Sequence, residues 1–150
     1  MNEGDFPARC FRGIRKRDWM NADNRLTSAA FDWNSKTADL RRMAQKPPGF
    51  EISINWDDNP EAERKSREDR TNAQYGIASI PLSALDYITQ LPAFPNALFW
   101  ERSPLAGNPY HGNLVCGEGL PRQMLQCMSG LLALHAEILI HRSDEPLSGP

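Results

Sequence analysis

The sequence predicts an α+β fold, in which one mostly antiparallel sheet of about five strands is covered by a C-terminal apolar helix. Three observations lead to this prediction. The chain has 150 residues, 40% of them hydrophobic, which is enough for one compact core. Residues 50–56, FEISINW, alternate between apolar and polar side chains as a half-buried strand does. Residues 120–141 form a long apolar segment with helical spacing. We therefore expect a single domain over residues 8–141, between flexible termini at 1–7 and 142–150.

The first predicted strand covers residues 8–14, ARCFRGI, and the pattern leaves its buried face open. If Cys10 and Ile14 are buried, Arg12 lies between two core positions and needs a carboxylate, a carbonyl or a bound anion as its partner. If Phe11 points inward instead, Arg12 is solvated. Both orientations are compatible with the sequence.

The segments that follow are less regular. Residues 26–31, LTSAAF, fit either a short strand or the start of a helix. Residues 35–45 have the composition of a helix, with Leu40, Met43 and Ala44 at helical spacing, and the following Pro-Pro-Gly ends it.

The remaining elements alternate between charged and apolar segments. Residues 57–74 contain ten charged residues and no large apolar one, which predicts a solvated, mobile loop with at most a helical turn after Asn59-Pro60. Beyond this loop we expect a buried strand at 75–80, a short helix at 82–90 that Pro81 opens, and strands near 97–102 and 111–116.

Charge and cysteine content limit the possible functions. The 17 basic and 19 acidic residues give a formal net charge of -2, so the whole chain is not attracted to nucleic acid or to an anionic membrane. Cys10, Cys116 and Cys127 are odd in number and widely spaced, which fits neither a disulfide framework nor a zinc site. We expect reduced thiols, a cytoplasmic protein and no metal.

His111 is the clearest candidate for chemistry. It follows the turn-forming residues Asn-Pro-Tyr in the stretch 108–116, NPYHGNLVC, and it precedes a predicted strand. There it can act as a general base or proton switch, or its imidazole can bond a backbone group of the turn and fix the strand entry. The other histidines, His135 and His141, lack the close spacing of metal ligands.

A short basic stretch is the second candidate. It contains, within nine residues, Arg9, Arg12, Arg15, Lys16 and Arg17. Together with Phe11 and Trp19 it can follow a phosphate backbone, with Arg15, Lys16 and Arg17 as the phosphate contacts. Alternatively, it is a solvated strand end that the acidic region 57–69 balances.

Apolar residues suggest a protein interface. Trp33 lies between Asp32 and Asn34, in a polar context typical of a surface anchor. The predicted C-terminal helix presents an apolar surface wider than one sheet needs, formed by Met124, Met128, Leu131, Leu132 and Leu139. The excess indicates either deep burial of this helix surface or a partner. For a partner, the interface candidates are Trp33, Met124, Met128 and Leu132, with a homodimer as the simplest arrangement.

The order of the motifs CFRGI, RLTSAAF, FEISINW, YGIASIPLSAL and NPYHGNLV, before a closing apolar helix, resembles a group of short bacterial proteins without assigned function. The members share an arginine-bearing first strand and segments like Ser-Ala-Phe, Ser-x-Asn-Trp and Asn-Pro-x-His. The resemblance covers about residues 8 to 140 and implies a bacterial cytoplasmic protein.

The chain is also similar to ADP-ribosyltransferase-like folds, including domains of the Phe-Arg-Gly type. This resemblance implies NAD as the cofactor and assigns Arg12 to its phosphate or ribose. Thr27 and Ser28 take the place of the second element, and Glu101 that of the catalytic acid. Such roles agree with the chemistry, because arginine binds a pyrophosphate bidentately and a carboxylate stabilises positive charge at an anomeric carbon.

Three hypotheses about function follow. The first is a small bacterial accessory or interaction protein that acts through protein-protein contacts without a cofactor. The second is an enzyme that binds NAD or another nucleotide, with candidates Arg12, Ser28, Asn55, Glu101 and His111. The third is nucleic-acid binding through residues 9–17. Convergence of Arg12, Asn55 and His111 on one cleft would favour the second hypothesis, and dispersal would favour the first.

Overall fold

The structure, a computed structural model, describes residues 6–94, 97–117 and 119–141. Most of both predicted flexible termini lies outside these residues. Phe6 belongs to the packed domain, because its ring lies 4.8 Å from the ring of Trp56, centroid to centroid. The domain thus includes at least part of the segment predicted as a flexible N-terminus.

Within the described residues, six strands and four helices make up one α+β domain, as predicted. The strands are β1 (Arg9–Gly13), β2 (Phe50–Trp56), β3 (Gly76–Pro81), β4 (Leu98–Arg102), β5 (His111–Cys116) and β6 (Glu137–His141). The helices are α1 (Ser35–Met43), α2 (Pro60–Glu68), α3 (Leu82–Thr89) and α4 (Arg122–His135), with 3-10 turns at Arg17–Trp19 and Ser28–Phe31. All neighbouring strands are antiparallel, in the order β4-β5-β2-β1-β3-β6.

The strand β2 divides its side chains between the two faces of the sheet. Ile52, Ile54 and Trp56 are buried in the main core, as the alternating pattern predicts. This core also receives apolar residues from α3 and α4, among them Leu85, Ile88, Met128 and Leu132. The opposite face of β2 carries Glu51, Ser53 and Asn55, and it meets α1 and α2. The polar face is therefore the one on which a site can form.

The prediction of a loop over residues 57–74 is wrong for Pro60–Glu68, which is the helix α2. Asn59 caps this helix, since its Oδ1 accepts a hydrogen bond from the Glu61 amide at 2.9 Å, and Pro60 occupies the first turn. Ala62 and Ser66 are its buried residues. Because the buried side chains are small and not large and apolar, the hydrophobic pattern gave no helical signal.

The prediction of a helix up to about residue 141 is also wrong. The helix α4 ends at His135, Ala136 is extended, and Glu137–His141 forms β6 along the open edge of β3. Leu139 consequently packs with Phe11, Ala73 and Ile77 in a small second cluster, and it does not extend the apolar surface of the helix. Pairing with β6 gives hydrogen-bond partners to the N–H and C=O groups on this edge of β3, and a continued helix would leave these groups without such partners.

The helix predicted over residues 35–45 is confirmed as α1, but the apolar residues of the predicted pattern, Leu40, Met43 and Ala44, are exposed. Ala38 and Arg41 are buried, whereas Leu40 is 61% exposed and Met43 81% exposed. The ambiguous segment 26–31 contains a 3-10 turn in which Phe31 is fully buried.

Candidate functional site

The two central strands of the sheet separate after a short contact. The register between β1 and β2 contains only the pairs Cys10–Trp56 and Phe11–Asn55. Beyond Phe11, β1 continues to pair with β3, while β2 pairs with β5 along its earlier residues. The sheet is therefore split between Arg12 on one side and Ser53 on the other.

A cleft of about 920 Å³ opens at this split, and its lining includes Glu51, Ser53 and Asn55 of the polar face of β2. Its floor includes residues of β1 and β2, and its walls come from the start of α1, the end of α2 and the loop 105–108. The volume falls within the range typical of small-molecule sites. The candidates Arg12, Asn55 and His111, which come from three different strands, all line it.

Arg12 crosses the split and is half-buried. Its Nε donates a hydrogen bond to the Ala30 carbonyl at 2.9 Å, and its Nη1 donates one to the Ser53 carbonyl at 2.8 Å. The guanidinium also lies over the ring of Trp19, 5.1 Å from its centroid. Both faces of β1 are buried, since Cys10 and Ile14 lie in the core on one face and Phe11 is buried on the other. The partners of Arg12 are therefore backbone carbonyls, one of the kinds of partner that the sequence predicts for the orientation with Cys10 and Ile14 buried. Burial and the nearby charge of Arg15 lower the pKa of Arg12 from 12.5 to about 10.

Asn55 holds two walls of the cleft together. Its Nδ2 donates a hydrogen bond to Ser66 Oγ of α2 at 2.8 Å, and its Oδ1 accepts one from Asn108 Nδ2 at 2.9 Å. The residue is also the cross-strand partner of His111. Asn55 therefore fixes the geometry of the cleft through contacts within the chain.

Of the two roles that the sequence leaves open for His111, the structure shows the anchoring one. The imidazole Nδ1 lies 2.8 Å from the Ser103 carbonyl. Because a carbonyl only accepts hydrogen bonds, Nδ1 carries the hydrogen, and in the neutral ring Nε2 keeps its lone pair. The ring thus anchors the start of β5, and His111 is also one of the residues that line the cleft.

Gly112 is required beside this histidine. A Cβ at this position would lie 2.3 Å from Trp56 Nε1 and 2.4 Å from the Glu101 carbonyl oxygen. These two atoms are themselves joined by a hydrogen bond of 3.1 Å, which passes over Gly112. The His-Gly pair therefore lets β4, β5 and the Trp56 ring approach closely.

The other catalytic candidates are not brought to the cleft. Ser28 is exposed on its 3-10 turn, and neither it nor Glu101 belongs to the lining. The Glu101 carboxylate instead receives two hydrogen bonds of 3.0 Å from Arg41 and one of 2.9 Å from Asn113 Nδ2. Thr27 donates its hydroxyl hydrogen to the Trp19 carbonyl.

Arg41 is the site residue that the sequence analysis missed. Its side chain is fully buried, and besides Glu101 it contacts Glu51 at 3.0 Å and the Pro47 carbonyl at 2.8 Å. Glu51 in turn lines the cleft. The available signal was the spacing of Arg41 three residues after Ala38, which places both on the inner face of α1.

Most of the predicted interface residues are buried within the chain. Trp33 is 8% exposed, and Met128 and Leu132 are fully buried, while Met124 is half-buried. Trp33 is therefore not the surface anchor that the sequence predicts, and for Met128 and Leu132 of α4 the structure shows deep burial, one of the two alternatives. The helix α4 packs against the turn Ser28–Phe31, where Ser129 Oγ donates a hydrogen bond of 2.6 Å to the Phe31 carbonyl. Its wide apolar surface therefore has a partner in the same chain.

Of the proposed phosphate contacts, Arg15 and Lys16 line the cleft, whereas Arg17 lies outside it and contacts Asn24.

Across residues 6–94, 97–117 and 119–141, no group of three or more His, Cys, Asp or Glu side chains could hold a metal ion. No helix in the described part of the chain is long and apolar enough to cross a membrane. Comparison with protein-family models, with curated proteins and with solved structures finds no match to this chain.

Proposed function

We propose that the protein binds a small phosphate-bearing ligand in the cleft between α1 and α2, with a nucleotide such as NAD as the first candidate. The observation that carries this proposal is the convergence of Arg12, Asn55 and His111 on one cleft. Residues of three strands that meet in one concave, polar site are typical of ligand binding.

The chemistry of Arg12 and of His111 supports the same conclusion. Arg12 is half-buried and bonded to neutral carbonyls, so its charge can still attract an anionic group. His111 offers a proton acceptor at Nε2. A ligand that is held by Arg12 and that reaches His111 along the same cleft would be open to proton abstraction, which makes an enzyme the natural extension of the binding function.

Isothermal titration calorimetry with NAD and with ATP tests this function. We expect binding to the wild type and a clear loss of affinity in Arg12→Ala, with the melting temperature recorded because Arg12 also joins two carbonyls. Arg122→Ala is the matched control, since Arg122 is exposed at the start of α4 and does not line the cleft. No heat with any phosphate-bearing ligand at millimolar concentration would contradict the proposal.

A second candidate function is that of an accessory or interaction protein, with a second copy of the chain as the first partner to test. It is supported by Leu40 and Met43, which are exposed one turn apart on α1. In a symmetric dimer the same apolar patch meets itself. Light scattering after size exclusion should then show a dimer that Met43→Glu dissociates, and a strict monomer would argue against this candidate.

The cysteines support a cytoplasmic location. Cys10, Cys116 and Cys127 are all free, and the first two are buried. Reduced, unpaired thiols are typical of proteins in a reducing compartment. We propose a bacterial cytoplasmic protein on this basis and on the resemblance given above.

A further inference from the structure

The split in the sheet exposes a backbone donor beside Arg12. In an antiparallel strand the N–H and C=O groups of one residue point to the same side. Because the Ser53 carbonyl accepts a hydrogen bond from Arg12 across the split, the Ser53 N–H group points into the split as well. The register between β1 and β2 stops at Phe11–Asn55 and does not reach Ser53. An amide donor therefore lies next to the guanidinium without a partner strand.

Arg12 itself has unused donors. A guanidinium carries five N–H groups, and Arg12 uses two of them for the carbonyls of Ala30 and Ser53. Among residues 6–94, 97–117 and 119–141, no carboxylate forms a salt bridge with Arg12. The remaining donors and the Ser53 amide together match the several acceptor oxygens of a phosphate group.

Most of the carboxylates that line the cleft are already bound within the chain. Glu51 forms its ion pair with Arg41, and Glu68 forms one of 3.2 Å with Arg64. The Asp69 carboxylate accepts hydrogen bonds from the backbone amides of Thr71 and Asn72 and from Asn72 Nδ2. Asp32, which is exposed, is the remaining carboxylate of the lining.

The cations of the lining are not neutralised in the same way. They are Arg12, Arg15, Lys16, Lys36 and Lys65. Within the described part of the chain, none of these five forms a salt bridge. Lys36 comes from α1 and Lys65 from α2, so the positive charge continues from the split to both flanking helices, although Lys65 lies close enough to Asp69 to help lower the pKa of that carboxyl. Such an arrangement attracts a multiply charged anion.

We infer that the cleft takes a small molecule with at least two phosphate groups, one bound by Arg12 and the Ser53 amide and the next near Lys36 and Lys65. This inference rests on the proposed function and specifies its ligand class. The volume of about 920 Å³ exceeds what one phosphate fills, and it leaves room for a second phosphate and for the group that carries it.

Titration with pyrophosphate, ADP and AMP tests the inference. We expect pyrophosphate and ADP to bind and AMP, which carries one phosphate group, to bind at least tenfold more weakly. Arg12→Ala should reduce the affinity for pyrophosphate on the order of tenfold to hundredfold, as is usual for a charged hydrogen-bond donor. The double variant Lys36→Ala/Lys65→Ala should reduce it by about threefold to tenfold, since both side chains are exposed. Arg122→Ala should leave it unchanged.

An NMR titration places the ligand. In a 15N–1H spectrum, pyrophosphate should shift the Ser53 amide resonance downfield, while residues of α4 should not move. Affinity should also fall as the salt concentration rises, because the attraction is screened. The variant Lys36→Ala/Lys65→Ala carries its substitutions on the surface. If Arg12→Ala does not fold, the affinity of this variant for pyrophosphate still tests the inference.

The possible results separate this inference from the function on which it rests. If AMP binds the cleft as tightly as ADP, the requirement for two phosphate groups is wrong, whereas the proposed binding of a phosphate-bearing ligand stands. If pyrophosphate binds the lysine variant with wild-type affinity, or leaves the Ser53 amide unshifted, the phosphate positions are wrong. If none of the phosphate-bearing ligands binds, the proposed function fails as well.

Discussion

The guanidinium of Arg41 binds both oxygens of the Glu101 carboxylate, with Nη1 and Nη2 each 3.0 Å from one oxygen. This contact joins α1 to β4 across 60 residues of sequence. Arg41 also contacts Glu51, which lines the cleft. The ion pair therefore determines where one wall of the cleft stands relative to the sheet.

Removal of this arginine should destabilise the protein strongly. Arg41→Ala leaves the partly buried carboxylates of Glu51 and Glu101 without their common partner, so we expect a loss of about 3–5 kcal/mol in the free energy of unfolding. Arg122→Ala, at an exposed position at the start of α4, should change it by about 0.5 kcal/mol or less. Urea unfolding monitored by circular dichroism compares the two variants. A similar stability for both would contradict the buried ion pair.

Acid should weaken the same contact. Burial acts to raise the pKa of Glu101, but hydrogen bonds from Arg41 and Asn113 and the charges of Arg41 and Lys46 outweigh it and lower the pKa below the ordinary value of 4.5. A carboxyl with a lowered pKa binds fewer protons in the folded than in the unfolded state. Its contribution to stability is therefore complete above pH 4.5 and is lost as the pH falls below that value.

The variant Glu101→Gln tests this pH dependence. The amide that replaces the carboxyl does not titrate. As the pH falls below 4.5, the free energy of unfolding of the Glu101→Gln variant should therefore decline less steeply than that of the wild type. Urea unfolding at a series of pH values measures both slopes. Parallel slopes for the two proteins would show that Glu101 does not carry the acid sensitivity.

Two glycines should respond to alanine in opposite directions. In Gly112→Ala the new methyl group meets Trp56 Nε1 and the Glu101 carbonyl, so we expect a loss of about 1–3 kcal/mol and a change in tryptophan fluorescence. Gly130 lies within α4, and a Cβ there meets no atom within 4 Å. Gly130→Ala should therefore stabilise the protein by about 0.5–1 kcal/mol, because alanine favours the helix. Thermal unfolding distinguishes the two effects.

The thiols should differ in reactivity. Cys10 and Cys116 are buried, and burial raises the pKa of Cys10 far above its ordinary value and that of Cys116 to about 12. Cys127 is exposed on α4. Iodoacetamide should accordingly modify only Cys127 in the native protein and all three thiols in urea. Rapid native labelling of Cys10 or Cys116, detected by mass spectrometry, would contradict the burial of these residues.

Patterns local in sequence predicted much of the fold. Alternation identified β2 and its buried face, and Pro81 marked the start of α3, because these signals depend on period and on backbone restriction at single residues. The helix α2 was missed because its inner residues, Ala62 and Ser66, are small. The strand β6 was missed because an apolar run fits a buried helix and a buried strand equally well.

By itself, the sequence determined the α+β class, the positions of most strands and the candidates Arg12, Asn55 and His111. Only the tertiary structure decided that these three meet in one cleft, that Arg41 holds Glu101 away from it, and that Trp33 is buried. Such relationships join residues far apart in the chain. Their formation depends on strand order and on the separation of β1 from β2, for which a local pattern of side chains contains no information.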